Sequence, residues 1–278
     1  MKRFFSALSR GVIFALLYVG MQFIVSIFAT IGFGIFYAMA NTTDIGLDVL
    51  EMQSSMADFV MQNSNMITMI SNLLTLVVLM IIFRATRKRY SEQISLLPVQ
   101  VSKLWPVVVM GAAMTFVVTA GMDMLPIPEQ WWESYEQLSS TLVAGSPIIA
   151  FVSTVIVAPV VEEVVFRGLV YTRLRSGMPF IVAMLLECAI FAVLHGTAIW
   201  IAYAFLLAIL MTLVFEAYGS IWASIALHIT FNLFGSYVTP YMQFKSQLIP
   251  LLAGLVIAAV CARFIMINRN GRRVREGK

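Results

Sequence analysis

Long apolar runs, interrupted by short polar segments, dominate the chain. A helix needs about 20 residues to cross a hydrocarbon core roughly 30 Å thick. Runs that approach this length lie near 11–39, 66–83, 104–122, 146–166, 180–198, 199–217, 221–239 and 247–267. The pattern predicts an all-α polytopic membrane bundle of about eight transmembrane helices, forming a single membrane domain over residues 1–278.

Composition supports a membrane protein. Of the 278 residues, 60% are hydrophobic and 12% are charged, and the mean hydropathy is +0.91, outside the range of soluble domains. The start, MKRFFSALSR, is typical of a signal peptide, but the apolar stretch 11–37 is too long for one, so we predict an uncleaved first span. Cys188 and Cys261 both lie in apolar runs, which excludes a disulfide framework.

Basic residues cluster at alternate connections between the spans. They precede span one, lie between spans two and three, follow span four and close the chain, as Lys2, Arg3, Arg10, Arg84, Arg87, Lys88, Arg89, Lys103, Arg173, Arg175, Arg269, Arg272, Arg273, Arg275 and Lys278. Eight spans put all these segments on one side, which the positive-inside rule makes cytoplasmic. We predict a multi-pass cell-membrane protein with both termini in the cytoplasm, with membrane lipids as partners and no nucleic acid.

The two connections on the opposite side, 40–65 and 123–145, are predicted to be the longest irregular stretches. The second interleaves Trp131, Trp132 and Tyr135 with glutamates. This composition predicts a short interfacial helix in an aromatic belt.

Polar side chains are rare within the spans and concentrate in the second half of the chain. They are Glu162, Glu163 and Arg167 on span four, Glu187 and His195 on span five, Glu216 on span six, and His228 and Asn232 on span seven. A charge at the bilayer centre costs at least ~2.5–3.5 kcal/mol, so such residues usually face the protein interior and mark function. Glu163 and Arg167 are four residues apart and can form an ion pair, whereas Glu162 points about 100° away.

The turn near residues 177–179 folds spans four and five into a hairpin. Glu162 and His195 are about equally far from this turn along the chain, and at ~1.5 Å per residue they stand at the same height and can meet. His228 and Asn232, also four residues apart, present their polar groups together. Pro159 removes a backbone hydrogen bond to Val155 and can kink span four beside Glu162.

This set of groups suits peptide-bond hydrolysis. A carboxylate beside an imidazole can activate water as a general base, and a second imidazole with a carboxamide can stabilise an oxyanion. Two other interpretations stay open: the polar groups tie helices together, or they form a zinc site, although no HExxH pattern is present. Cys188 is too far from His195 for proton transfer, and no cofactor is predicted.

Three short patterns carry a family resemblance. The segment from Glu162-Glu163 to Arg167 resembles the EExxxR motif of the CPBP (CAAX protease and bacteriocin-processing, or Abi) family, 191–195 resembles its FxxxH motif, and 228–232 its HxxxN motif. The resemblance covers about residues 145–240. It implies an eight-helix bundle with an intramembrane cavity open to the cytosol and to lipid. By resemblance, Glu162 activates water, His195 is its partner, His228 and Asn232 form the oxyanion hole, and Glu163 and Arg167 support the site.

The resulting functional prediction is an intramembrane endopeptidase. The family's type II CAAX members remove the last three residues after a prenylated cysteine, so the expected substrate is a hydrophobic or lipidated membrane-associated protein or peptide. Two alternatives from other classes remain: a non-catalytic scaffold or bacteriocin-immunity protein of the same fold, and a transporter that relays protons through Glu162, His195 and His228.

Overall fold

A computed structural model describes residues 2–41 and 49–268, and within these ranges the chain is helical with no strand. We number the helices α1 (Lys2–Asn41), α2 (Val49–Ala85), α3 (Tyr90–Gln93), α4 (Trp105–Met124), α5 (Glu129–Thr141), α6 (Pro147–Arg175), α7 (Phe180–Val193), α8 (Ala198–Tyr218), α9 (Ile221–Tyr237) and α10 (Leu248–Asn268). Short 3₁₀ turns occur at Val101–Lys103 and Thr239–Tyr241. The protein is an all-α polytopic helical bundle, as predicted.

Seven of the described helices are long and apolar enough to cross a membrane, and α7 is shorter. Its 14 residues rise only about 21 Å, less than the ~30 Å hydrocarbon core. The apolar run predicted over 180–198 therefore forms a helix only as far as Val193. The chain turns at 194–197, where Gly196 adopts a φ of 86° that a residue with a side chain rarely adopts.

One end of the bundle collects the basic connections. We call it the basic end; it consists of the start of α1 and the segments 86–104, 176–179 and 219–220. Arg10 Nη2 donates to Ser176 Oγ over 3.2 Å, and Ser220 Oγ donates to the carbonyl oxygen of Leu97 over 2.6 Å. These contacts show that α1, α6 and α8 all have an end there.

The opposite end differs from the prediction in one respect. The stretch 40–65 was predicted to be irregular, but α1 continues to Asn41 and α2 begins at Val49, because residues 49–65 contain neither glycine nor proline. Residues 42–48 of the predicted loop lie outside the described residues. In 123–145, a helix forms as α5, whose 13 residues include both tryptophans.

Helix α6 lies at the centre of the bundle. It packs against α1, α2, α7 and α9, and every residue from Glu163 to Tyr171 is buried. Helix α9 in turn lies close to α4, since a Cβ on Gly111 would come within 2.7 Å of the carbonyl oxygen of Leu227. Small residues permit such close helix packing in membranes. Helices α6 and α9 are therefore both closely packed. They carry Glu162, Glu163, His228 and Asn232.

Candidate active site

Helix α6 departs from regular α-helical geometry on both sides of the glutamate pair. Residues Val152–Val157 and Val164–Tyr171 are π-helical, and Ala158–Glu163 between them is α-helical. Such wide turns inside helices are frequent at functional sites. They change the direction in which the side chains of the intervening segment project.

Pro159 and Asn232 are connected through the first π-helical turn. The amide of Ala158 donates to the carbonyl of Ser153, five residues earlier. In this register the carbonyl of Thr154 should accept from residue 159, and proline has no N–H. Asn232 Nδ2 donates to this carbonyl over 2.9 Å. The proline therefore leaves Thr154 unsatisfied, and not Val155 as regular α-helical spacing predicted, and α9 supplies the missing donor.

Below Glu162, toward the basic end, lies a group that we call the ion cluster: Glu163, Arg167 and Glu187. Arg167 Nη1 is 2.9 Å from Glu163 Oε1, and its Nε is 3.6 Å from Glu187 Oε1. All three side chains are fully buried, and the guanidinium lies over the Phe191 ring. Two carboxylates share one guanidinium, so removing the arginine would leave two buried negative charges.

His228 connects the ion cluster to Glu162. Its Nδ1 is 2.9 Å from Glu163 Oε1, and its Nε2 is 3.7 Å from Glu162 Oε2. With the carboxylate of Glu163 accepting from Nδ1–H, the ring orientation is fixed, as in other carboxylate–histidine pairs. An imidazolium would donate from Nε2 as well. A neutral ring would present Nε2 as an acceptor.

His195 lies in the 194–197 turn and not within a transmembrane helix, where the sequence had placed it. Its Nδ1 is 3.0 Å from the carbonyl oxygen of Phe191, so an N–H there leaves Nε2 free. It and Glu162 line the same cavity. Within the described chain, however, no hydrogen bond or ion pair joins the two, and the imidazole in ion-pair range of Glu162 is that of His228.

Tyr18 reaches the site from α1, and sequence reasoning missed it. Its hydroxyl donates to Glu162 Oε1 over 3.3 Å. The tyrosine is buried, and its ring packs edge-on against Phe166. A tyrosine in an apolar run does not indicate which residue its hydroxyl contacts. The one available signal was that Tyr18 is a polar side chain within span one.

A cavity of about 500 Å³ brings the four predicted catalytic residues together: its lining includes Glu162, His195, His228 and Asn232. The Glu162 side chain is 17% exposed, whereas that of Glu163 is fully buried. Glu162 thus faces the cavity, whereas the adjacent Glu163 lies within the buried ion cluster.

Helix α5 covers part of this cavity. It contributes Trp132, Tyr135 and Ser139 to the lining, and the Tyr135 ring packs edge-on against Trp200 of α8. Burial chiefly, and the nearby Asp123 carboxylate to a smaller degree, raise the pKa of Tyr135. The phenol therefore remains protonated and can donate a hydrogen bond.

In residues 2–41 and 49–268, no group of three or more His, Cys, Asp or Glu side chains is placed to hold a metal ion. Cys188 is buried beside Glu187 and Thr212, so packing accounts for it. The described donor set therefore gives no preformed metal centre.

Comparison with known proteins bears directly on these helices. Residues 144–234, about a third of the chain, match the family model described as type II CAAX prenyl endopeptidase Rce1-like. This part of the chain is therefore similar to the Rce1-like family. The matched segment runs from the start of α6 through most of α9 and includes every residue predicted for the site. No curated protein and no solved structure matched the chain.

Proposed function

We propose that this Rce1-like protein is an intramembrane endopeptidase that hydrolyses a peptide bond in a membrane-associated protein or peptide. One observation carries the proposal: a carboxylate, two imidazoles and a carboxamide from two helices and a turn line one cavity within the bundle. The basic end is proposed to be cytoplasmic, with both termini on that side of the cell membrane.

Glu162 is proposed to activate the attacking water. Among the described residues, its Oε2 is in ion-pair range of His228 and its Oε1 accepts a hydrogen bond from Tyr18, so the carboxylate is oriented yet accessible from the cavity. The water oxygen attacks the carbonyl carbon while Glu162 accepts its proton. The Nε2 lone pair of His195 can accept from the second hydrogen of the water and orient the attack. Glu162 then returns its proton to the leaving nitrogen, and the C–N bond breaks.

Asn232 and His228 are proposed to stabilise the oxyanion. One N–H of the Asn232 amide is committed to Thr154, and the second is available to the cavity. His228 can donate from Nε2 only as an imidazolium, because its Nδ1 already pairs with Glu163. Donors fixed before the reaction lower the barrier most, and the contacts from Thr154 and Glu163 fix both of these.

The ion cluster is proposed to support this machinery from below. Arg167 holds Glu163, Glu163 holds His228, and Glu187 supplies a second anion to Arg167. Because these groups have no exposure, they do not contact substrate. Glu163 and Arg167 are therefore positioning residues.

The proposal is tested by cleavage of lipidated and hydrophobic peptides with purified protein in liposomes. We expect Glu162→Gln to lower the rate by at least about 10³-fold, because an amide cannot accept the proton of water. The matched control is Glu216→Gln: Glu216 accepts a hydrogen bond from Tyr171 and does not line the cavity.

A chelator is added in parallel reactions. Cleavage that survives chelation and is lost only in Glu162→Gln would support a metal-independent mechanism. Equal activity of wild type and Glu162→Gln, or no cleavage by either, would contradict the proposal and favour a non-catalytic membrane protein of the same family.

A further inference from the structure

The cavity is closed toward the basic end. Directly below Glu162, the continuous segment 163–171 is buried on its whole circumference. Segment 93–97 crosses beneath it, since Arg173 Nη1 donates to the carbonyl oxygen of Gln93 and a Cβ on Gly168 would lie 3.0 Å from Ile94. A polypeptide cannot reach Glu162 along α6 from that side.

The exposed part of the lining lies at the other end of the bundle. The lining residues with substantial exposure are Thr119, Asp123, Val143 and Pro240. They belong to the last turns of α4, to the segment between α5 and α6, and to the turn after α9. The mouth of the cavity is therefore at the end opposite the basic one.

The charge of the cavity is one-sided. The lining contains two carboxylates, Asp123 at the mouth and Glu162 at the bottom, and the imidazoles of His195 and His228. No lysine or arginine occurs among the described lining residues. Apart from the two histidines, a substrate carboxylate would thus find no basic partner, and buried charges without partners are strongly disfavoured. Neutral or positively charged residues meet no such penalty.

Hydroxyl and amide groups follow the cavity from its mouth toward Glu162. Asn65, Thr115, Ser139 and Ser153 all contribute to the lining. The Oγ atom of Ser153 is buried without a hydrogen-bond partner among the described residues. Such groups are suited to a peptide backbone, which offers donors and acceptors along its length.

We propose that the cavity receives its substrate from the end opposite the basic end, as an internal polypeptide segment of neutral or positively charged residues. The inference rests on the proposed function and names its substrate class. A cut three residues from a carboxyl terminus would place the terminal carboxylate inside this acidic cavity. With the basic end in the cytoplasm, the substrate segment is extracytoplasmic.

The first experiment tests access and does not require hydrolysis. In a Cys188→Ala, Cys261→Ala background, Ala158→Cys places a thiol in the cavity one turn before Glu162. Ser176→Cys marks the basic end and Asp123→Cys marks the mouth. Membrane vesicles of each orientation are treated with a membrane-impermeant thiol reagent.

We expect Ala158→Cys to react in the same vesicles as Asp123→Cys and to be protected in those where Ser176→Cys reacts. Labelling of Ala158→Cys together with Ser176→Cys would overturn the proposal. So would protection of Ala158→Cys in both orientations while Asp123→Cys reacts, because a peptide then has no open route either.

The second experiment tests the substrate class. Membrane-anchored peptides carry the scissile segment internally with neutral, lysine-rich or aspartate-rich residues, and a fourth peptide ends three residues after the expected cut. We expect the neutral and lysine-rich peptides to be cleaved at least about tenfold faster than the other two, because like charges repel within the cavity. Asp123→Asn should reduce the difference between the lysine-rich and aspartate-rich peptides.

The outcomes separate the two proposals. Faster cleavage of the carboxyl-terminal or aspartate-rich peptide, abolished by Glu162→Gln, would overturn the inference and leave the proposed function intact. Labelling through the mouth with no cleavage of any peptide would support the access route and count against the proposed peptidase.

Discussion

Glu162 and Glu163 are neighbours in sequence, but they lie in opposite environments. Glu163 is fully buried in the ion cluster, where Arg167 and His228 both contact its Oε1. Glu162 faces a cavity of about 500 Å³ and is partly exposed. A rotation of about 100° along one helix separates a structural carboxylate from a candidate catalytic one. The ion cluster should therefore govern stability, and the cavity should govern activity.

The largest expected effect on this comparison comes from Arg167→Leu. The change leaves Glu163 and Glu187 buried without their shared cation, and breaking a buried pair in this way typically costs about 3–5 kcal/mol. We expect a large fall in the free energy of unfolding, measured by denaturant or thermal unfolding in detergent.

The matched control is Arg10→Leu, which removes an exposed arginine that contacts Ser176 at the basic end. This change should stay within about 0.5 kcal/mol of wild type. Similar stabilities for the two variants would show that the ion cluster is not the structural element described here.

A smaller and different effect is expected from Asn232→Ala. Loss of one oxyanion donor typically lowers kcat by about 10²–10³-fold. Because the amide also binds the carbonyl of Thr154, we expect some loss of stability as well, by about 1–3 kcal/mol for an unsatisfied buried carbonyl. Cleavage kinetics and unfolding are measured on the same preparation.

Thr230→Val serves as the control on α9, since the Thr230 hydroxyl donates within its own helix and does not line the cavity. It should retain both kcat and stability. If Asn232→Ala kept its kcat while losing stability, Asn232 would have a structural role, like the residues of the ion cluster. Its assignment as an oxyanion donor would then be wrong.

Much of this contrast follows from local spacing. The four-residue interval between Glu163 and Arg167 fixes their pairing, and equal distances from the turn place Glu162 and His195 in one cavity. Local rules fail where geometry is irregular. The π-helical turn moves the unsatisfied carbonyl from Val155 to Thr154, and the turn at Gly196 ends α7 before His195. The hydropathy pattern predicts neither the π-helical turn nor the end of α7, because both depend on how neighbouring helices pack.

Long-range contacts were beyond prediction for a different reason. Tyr18 and Glu162 are separated by 144 positions, and no periodic pattern connects α1 with α6. Likewise, the position of His228 between two carboxylates depends on the rotation of α9, which Gly111 permits by close packing against α4. The residues of the site could be named from sequence, but their partners could not.

The smallest effect, and the finest test of the comparison, is expected from Tyr18→Phe. The ring and its contact with Phe166 are retained, so stability should change by no more than about 1 kcal/mol. The hydrogen bond to Glu162 is lost, and the carboxylate should become less well oriented. We expect kcat to fall by about three- to tenfold with KM unchanged, in keeping with one hydrogen bond worth about 1 kcal/mol.

Tyr37→Phe on the same helix is the control, because Tyr37 lies outside the cavity lining. A fall in kcat for Tyr18→Phe alone would show that α1 contributes to activity, although it lies outside the segment that matches the Rce1-like model. An unchanged kcat with reduced stability would instead place Tyr18 with the buried core, because its hydroxyl would then serve only to satisfy a polar atom of Glu162.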